Sequence, residues 1–324
     1  MGADPGSILV YVGLDAVGDG LIKLPFVRAL RAAFPAARIT WLAGKGHTVY
    51  AGSLAPLVAG LIDEVLDQAA IGSGARELVG RRPLADRAFD LVIDTQRRVL
   101  TTLILRRIRH RRFVSAAAGF LLSDTRPADR AKPPSMVAQL LGLVELASGR
   151  PAEAPAPLAL DPVAEWAAAE LLPPGRCYIG FAPGAGGRHK CWPLDRFIAV
   201  AADMVAQGRV PVFLLGPNEA KWSDLVRAVL PAAVTPLQQA AEVTPMLTIA
   251  LARRLAAAVA NDSGTGHMLA AAEIPLVSLF GPTPPDKFAP TTRRLAVVKA
   301  QDWGGEAMER IPVEAVIAAL RGML

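Results

Sequence analysis

Cysteine is nearly missing from this chain of 324 residues: there are two, Cys177 and Cys191. Two thiols without neighbouring ligand-type residues exclude a disulfide framework and a structural zinc, and they suit a reducing compartment. Aromatic residues make up only 6%, which argues against the stacking surfaces that single-stranded nucleic acids require, so no nucleic-acid partner is expected. Charge is also sparse, at 20% against 52% apolar residues, and such a balance excludes disorder. No uninterrupted apolar run reaches the roughly 18 residues of a membrane span. The first residues, Met1-Gly-Ala-Asp-Pro-Gly-Ser7, lack the basic and apolar regions of a signal peptide. No Asp-x-Asp pair is present for a divalent ion, and no metal or cofactor is expected. These absences describe a cytoplasmic protein with substantial apolar cores.

Its net charge is +6, with a pI near 9.7, which favours anionic partners such as nucleotide phosphates or acidic lipid headgroups. Short apolar runs of the buried-strand type alternate with helical periodicity. In the first half, Ile8–Leu14, Arg38–Leu42, Ile62–Leu66, Phe89–Thr95 and Arg112–Ser115 read as strands. Leu21–Phe34, Val99–Ile108 and Met136–Ser148 read as helices. A proline-rich joint, Arg150–Pro157, then interrupts the pattern. It restarts with helix Val163–Leu172, strand Tyr178–Phe181, helix Leu194–Gln207, strand Val210–Leu215 and helix Asn218–Leu230. Strands ending at Ala260 and Phe280 complete the second half, and Pro312–Leu320 is a last helix. The alternation predicts parallel βαβ units in two α/β domains, 1–150 and 151–311, with 312–324 packing back on the first.

The strongest local signal is Ala260-Asn261-Asp262-Ser263-Gly264-Thr265-Gly266-His267. An apolar strand runs into Asp-Ser-Gly and a helix opens directly after it. That is what a diphosphate-binding turn needs: glycines for close backbone approach, and a helix N-terminus for its N–H groups and partial positive charge. Helix capping by Asp262 is the bland alternative. His267 is either a packed histidine or a phosphate contact. Pro183-Gly-Ala-Gly186-Gly187-Arg188-His189-Lys190 follows another strand and suits a phosphate cradle, with Lys190 adding charge. It fails the Walker A pattern, and the same residues suit an exposed basic loop.

In the first half, Gly18-Asp19-Gly20 lies where the first long helix starts. Asp19 there is a helix cap or a general base for a bound hydroxyl. Gly13, Gly18 and Gly20 do not fit G-x-G-x-x-G, which disfavours a dinucleotide oxidoreductase. The basic run Arg106-Arg107-Ile-Arg109-His-Arg-Arg112 is either a solvated helix end or a docking patch for an anionic acceptor.

In this order, the motifs resemble glycosyltransferase family 9, the lipopolysaccharide heptosyltransferases. The matching pieces are Val17–Pro25 with Leu30–Pro35, Phe89–Asp94, Lys190–Pro193, Asp262–His267 and Leu279–Thr283. The resemblance implies a GT-B architecture of two Rossmann-like, doubly wound domains facing across a cleft. It implies inverting, metal-independent transfer of heptose from ADP-heptose to a lipid-linked oligosaccharide, the lipopolysaccharide inner core, with peripheral contact at the inner membrane. Asp19 is then the base. Lys190, Asp262, Ser263, Gly264, Thr265 and His267 belong to the donor site, with Gly186 and Gly187 in its loop and Glu219 near the nucleoside. Arg106, Arg107 and Arg109 are candidate acceptor contacts. The stretches Gly13-Leu14-Asp15-Ala16 and Gly184–Gly187 depart from the family's usual residues, and so bear on the acceptor and the sugar. A transferase or epimerase for another nucleotide sugar, and a nucleotide-binding protein without turnover, are the alternatives.

Overall fold

Ile8–Val12 contains no charged side chain and is wholly buried, and in the computed structural model it forms the centre of a parallel sheet. The structure describes residues 4–129, 131–152 and 158–324. Residues 153–157 of the proline-rich joint and residues 1–3 lie outside the described residues. The chain divides into two units, 1–156 and 157–324, a few residues beyond the boundary expected from the prolines.

The first unit runs β1 (Ser7–Val12), α1 (Val17–Ala33), β2 (Arg38–Ala43), β3 (Glu64–Leu66), β4 (Ala88–Asp94), α2 (Val99–Leu105), β5 (Arg109–Ser115) and α3 (Met136–Ser148). Its sheet order is β3-β2-β1-β4-β5, all parallel, with Leu9 opposite Val92 and Ile39 opposite Ile8. Leu9, Tyr11, Val92 and Phe113 pack in one cluster with Ile104 and Leu105 of α2, while α1 packs against α3. The chain builds outward from β1 to β3 and then crosses back to β4, so the topological switch lies between β1 and β4.

The second unit runs α4 (Pro162–Leu171), β6 (Tyr178–Ala182), α5 (Leu194–Ala206), β7 (Val210–Phe213), α6 (Trp222–Val229), α7 (Pro245–Ala252), β8 (Leu255–Asn261), α8 (Gly264–Ala271), β9 (Leu276–Phe280), α9 (Pro285–Phe288), β10 (Leu295–Lys299) and α10 (Val313–Arg321). The parallel order β10-β9-β8-β6-β7 puts the switch between β6 and β8. Alternation along β6 serves two cores, as a doubly wound sheet requires. Ile179 and Phe181 pack with Phe197, Met204, Val316 and Leu320, whereas Tyr178 and Ala182 pack with Leu172, Leu251 and Leu269.

Several boundaries differ from the sequence expectation. Helix α1 starts at Val17, ahead of the expected Leu21, and Gly18-Asp19-Gly20 form its first turn. The basic run is not one helix end: α2 stops at Leu105 and Arg109–Arg112 already lie in edge strand β5. Arginines on an edge strand deter pairing with other chains. Helix α10, expected to return to the first domain, buries Val316 and Leu320 in the core of the second unit against α5. Its apolar face is filled there.

Candidate active site

The second unit gathers its candidate residues at the carboxyl ends of the strands that flank its switch point, where open α/β sheets bind ligands. The loop after β6 ends in a short 3-10 turn, Arg188–Lys190, and β8 leads directly into Asp262. Lys190 Nζ donates to Asp262 Oδ2 at 3.0 Å, with the carboxylate the more buried partner. Asn261, fully buried, ties the two strand ends together. Its Nδ2 donates to the Pro183 carbonyl at 2.7 Å, and its Oδ1 accepts from the Trp192 N–H at 3.1 Å.

Ser263 is the N-cap of α8 and accepts from the Gly266 N–H at 3.2 Å. The first turn that follows, Gly264 and Thr265, carries N–H groups that helix geometry leaves without intrahelical acceptors. His267 is buried one residue beyond that turn. The capping expected of the motif thus falls to Ser263, while Asp262 stands outside the cap and pairs with Lys190. Gly186 has open space beside it, with no atom within 4 Å of where a Cβ would stand. Glu219 closes over the same loop: a Cβ on Gly184 would meet its carboxyl carbon at 2.7 Å. Lys190, Gly186, Gly187, Glu219 and the Asp262–His267 turn therefore share one end of one sheet.

In the first unit Asp19 is both a cap and an exposed carboxylate. Its Oδ2 accepts from the Ala16 N–H at 3.1 Å, which leaves the rest of the carboxylate open to a hydroxyl. Gly20 is fixed by packing, because a Cβ there would stand 2.6 Å from Val49. The turn before the helix is anchored by a group the sequence reading did not single out. Asp15, 4% exposed, pairs with Lys23 and accepts from Thr48 Oγ1 at 2.9 Å, and its N–H donates to the His47 carbonyl at 3.0 Å. Tyr50 donates to the Gly20 carbonyl at 2.6 Å; burial, with Asp15 beside it, pushes its phenol well above the usual range, so it stays a donor. The acid at position 15 is thus matched by a buried lysine.

A second buried acid ends β4. Asp94 accepts from Thr102 Oγ1 at 2.6 Å, the Gln96 N–H at 2.8 Å and Ser115 Oγ at 2.9 Å, and burial pushes its carboxyl up to about 6. It joins β4, α2 and β5.

The structure does not bring Arg106, Arg107 and Arg109 to the turn that carries Asp19. Arg106 donates to the Leu122 carbonyl at 2.7 Å and pairs with Asp124 at 3.0 Å. Arg107 donates to the carbonyls of Glu77 and of Gly80, the latter at 2.6 Å. Arg109 opens β5 opposite Ala88, the first residue of β4, so it lies at the amino edge of the sheet. Asp19 follows the carboxyl end of β1. Cations that follow the carboxyl ends of neighbouring strands include Lys45, after β2, and Arg97 and Arg98, after β4. Burial and the Arg98 charge hold the Lys45 ammonium below its ordinary range. The rule that ligands meet parallel strands at their carboxyl ends, applied to the run after Asp94, is the signal that finds them.

Two parallel α/β units, one with a lysine, a glycine loop and a helix N-terminus converging at its switch point, define a nucleotide-handling enzyme of the Rossmann-like, GT-B class. The sequence profile of glycosyltransferase family 9 (heptosyltransferase) matches residues 79–313. The chain belongs to glycosyltransferase family 9. It is 29% identical over 311 residues to lipopolysaccharide heptosyltransferase 2 of Escherichia coli strain K12, covering 90% of this chain and 87% of that one. Among solved structures, a family 9 glycosyltransferase from Veillonella parvula superposes with a TM-score of 0.74 at 22% identity, over 100% of this chain and 98% of that one. The E. coli ADP-heptose lipopolysaccharide heptosyltransferase II superposes with a TM-score of 0.67 at 23% identity, over 98% of each chain.

Proposed function

We propose that this glycosyltransferase moves a heptose from ADP-heptose onto the lipopolysaccharide inner core or a related glycolipid, with inversion, without a metal, and at the cytoplasmic face of the membrane. One observation carries the donor half: Lys190 is held 3.0 Å from Asp262, beside the α8 N-terminus, at the second sheet's switch point. A leaving diphosphate gains charge in the transition state, so donors fixed at that point favour the reaction beyond ground-state binding. Lys190 and the α8 N–H groups supply what a divalent ion supplies elsewhere. Asp262 orients the ammonium, and Glu219, which stands against Gly184 of the same loop, accepts from a nucleoside hydroxyl in this reading.

Asp19 supplies the other half. Its exposed oxygen takes the proton of the acceptor hydroxyl as that oxygen bonds to the anomeric carbon. The bond from that carbon to the diphosphate breaks on the opposite face, and ADP departs with the electron pair. Acidic groups of the acceptor meet Lys45, Arg97 and Arg98 at the carboxyl edge of the first sheet rather than the run at 106–109.

Titration calorimetry with ADP, UDP and GDP, with and without magnesium, tests the donor assignment. ADP is expected to bind most tightly and without a magnesium requirement, and Lys190→Met to weaken it by roughly tenfold or more, as loss of a charged hydrogen bond does. Preference for UDP or GDP would move the function to another sugar.

A further inference from the structure

Helix α2 is apolar apart from Thr101 and Thr102, whose buried hydroxyls donate to the Gly72 carbonyl and to Asp94. Thr101, Thr102, Ile104 and Leu105 are buried, while Val99, Leu100 and Leu103 face solvent at 47%, 37% and 38% exposure. Three exposed apolar side chains on one short helix form a face that none of the described residues covers, the kind of patch that marks an interaction site. The loops on either side extend that face. The 3-10 turn Ala75–Leu78 packs against α2 and is followed by Val79, 89% exposed; the turn Ala117–Phe120 packs on it as well and is followed by Leu121, 58% exposed. Among the described residues, these five are all but one of the large exposed apolar side chains of the first unit.

Arg106 and Arg107 explain how the platform is held. Arg106, at the C-terminus of α2, binds the Leu122 carbonyl and Asp124, while Arg107 binds the carbonyls of Glu77 and Gly80. Each guanidinium clamps one flanking loop to the helix. The segments beside this face are basic: Arg97 and Arg98 directly precede α2, and Arg76, Arg81 and Arg82 lie in or just after the turn at 75–78, all of them exposed. Of the acids nearby, Glu77 and Asp124 have other partners and Asp86 faces one of these arginines across solvent. Glu77 accepts the N–H groups of Gly72, Ser73 and Gly74, Asp124 pairs with Arg106, and Asp86 lies 3.8 Å from Arg81.

We propose that the exposed face of α2, with Val79 and Leu121 beside it and the arginines around it, is a docking surface for an anionic lipid bilayer. An apolar strip that enters the headgroup boundary inside a ring of cations is how a surface-bound protein combines apolar burial with attraction to acidic lipids. Charge complementarity selects this occupant: five exposed arginines suit phosphate headgroups, and a second copy of this chain would oppose them with five more. Among the described residues no helix is long and apolar enough to cross a membrane, and contact through this face is at the surface. The inference rests on the glycolipid-acceptor reading for its purpose, since docking would hold the enzyme where such acceptors lie, but its test does not measure transfer.

The test is flotation of the purified full chain with phosphatidylcholine vesicles, with and without phosphatidylglycerol, at low and high salt. The protein is expected to float with the anionic vesicles and much less with the neutral ones, and salt should weaken the binding. Arg81→Glu with Arg82→Glu should weaken binding to anionic vesicles by about fivefold or more for each arginine. Leu100→Glu with Leu103→Glu should abolish it, while ADP binding by calorimetry and the thermal melting curve stay those of the parent chain. Equal flotation of parent and variants, or no flotation of the parent, would overturn the proposal. So would a dimer in sedimentation velocity that the leucine variant splits without any vesicle binding, because the face would then be covered by a second copy.

Discussion

Asp15 and Lys23 form the most consequential pair of single residues in the first unit. The carboxylate is buried, and its partners are the Lys23 ammonium and the Thr48 hydroxyl. Breaking a buried pair leaves one charge without compensation, which costs about 3–5 kcal/mol, whereas replacing both partners with neutral groups costs far less. Lys23→Met alone is therefore expected to lower the unfolding free energy by that amount in urea titrations. Adding Asp15→Asn should restore much of it. Equal loss in the single and double variants would show that the pair is not coupled. Asp15 also directly precedes Ala16, whose N–H holds the Asp19 carboxylate, so the pair fixes the turn from which the proposed base projects.

Asp94 gives a pH signature. Its carboxyl is raised from 3.8 to about 6 because burial disfavours the charged form, against the hydrogen bonds it accepts from Thr102, Gln96 and Ser115. Between those two values the folded chain binds more protons at this site than the unfolded chain, so its contribution to stability falls as pH rises through the window. Asp94→Asn removes that titration. Measured by urea unfolding across the window, the variant should gain stability relative to the parent chain as pH increases. A constant difference would show that Asp94 titrates normally.

At the scale of elements, the sequence is most legible where amphipathic periodicity and strand runs coincide. The αβ alternation, the restart after the prolines and the turn after β8 all follow from that pattern. Three features were hidden for identifiable reasons. Seven of the eight residues of α7 are buried, so it carries no stripe to read, although Thr244 before Pro245 is a cap-and-proline start signal. Strand β10 is a half-buried edge with weak contrast between its faces. The arginines at 106–112 look like one solvated helix end, yet a turn and an edge strand divide them, and two of their guanidinium groups are spent on loop carbonyls. The side-chain partners of Arg106 and Arg107 lie 15 or more residues away in the chain, beyond the reach of any local pattern. Periodicity finds elements, but it does not tell a clamp from a binding residue.

At the scale of the whole molecule, each unit carries its own doubly flanked sheet and its own switch point, and the candidate chemistry is divided between them. The candidate donor residues stand out in the sequence because they cluster in two short motifs that end strands. Their common location follows from the order β9-β8-β6-β7, which no single motif contains. The family profile begins at residue 79, so it does not reach Asp19. Its assignment as base stands on the carboxylate's exposure in the first turn of α1 and on the chemistry that inversion requires. The most direct test of the account is transfer from ADP-heptose to heptose-deficient lipopolysaccharide, followed by mass spectrometry of the acceptor, for the parent chain and for Asp19→Asn. The account predicts that the parent adds one heptose and releases ADP, whereas the variant binds ADP normally but adds no sugar. Full turnover by Asp19→Asn, or an acceptor that gains no heptose from the parent enzyme, would contradict it.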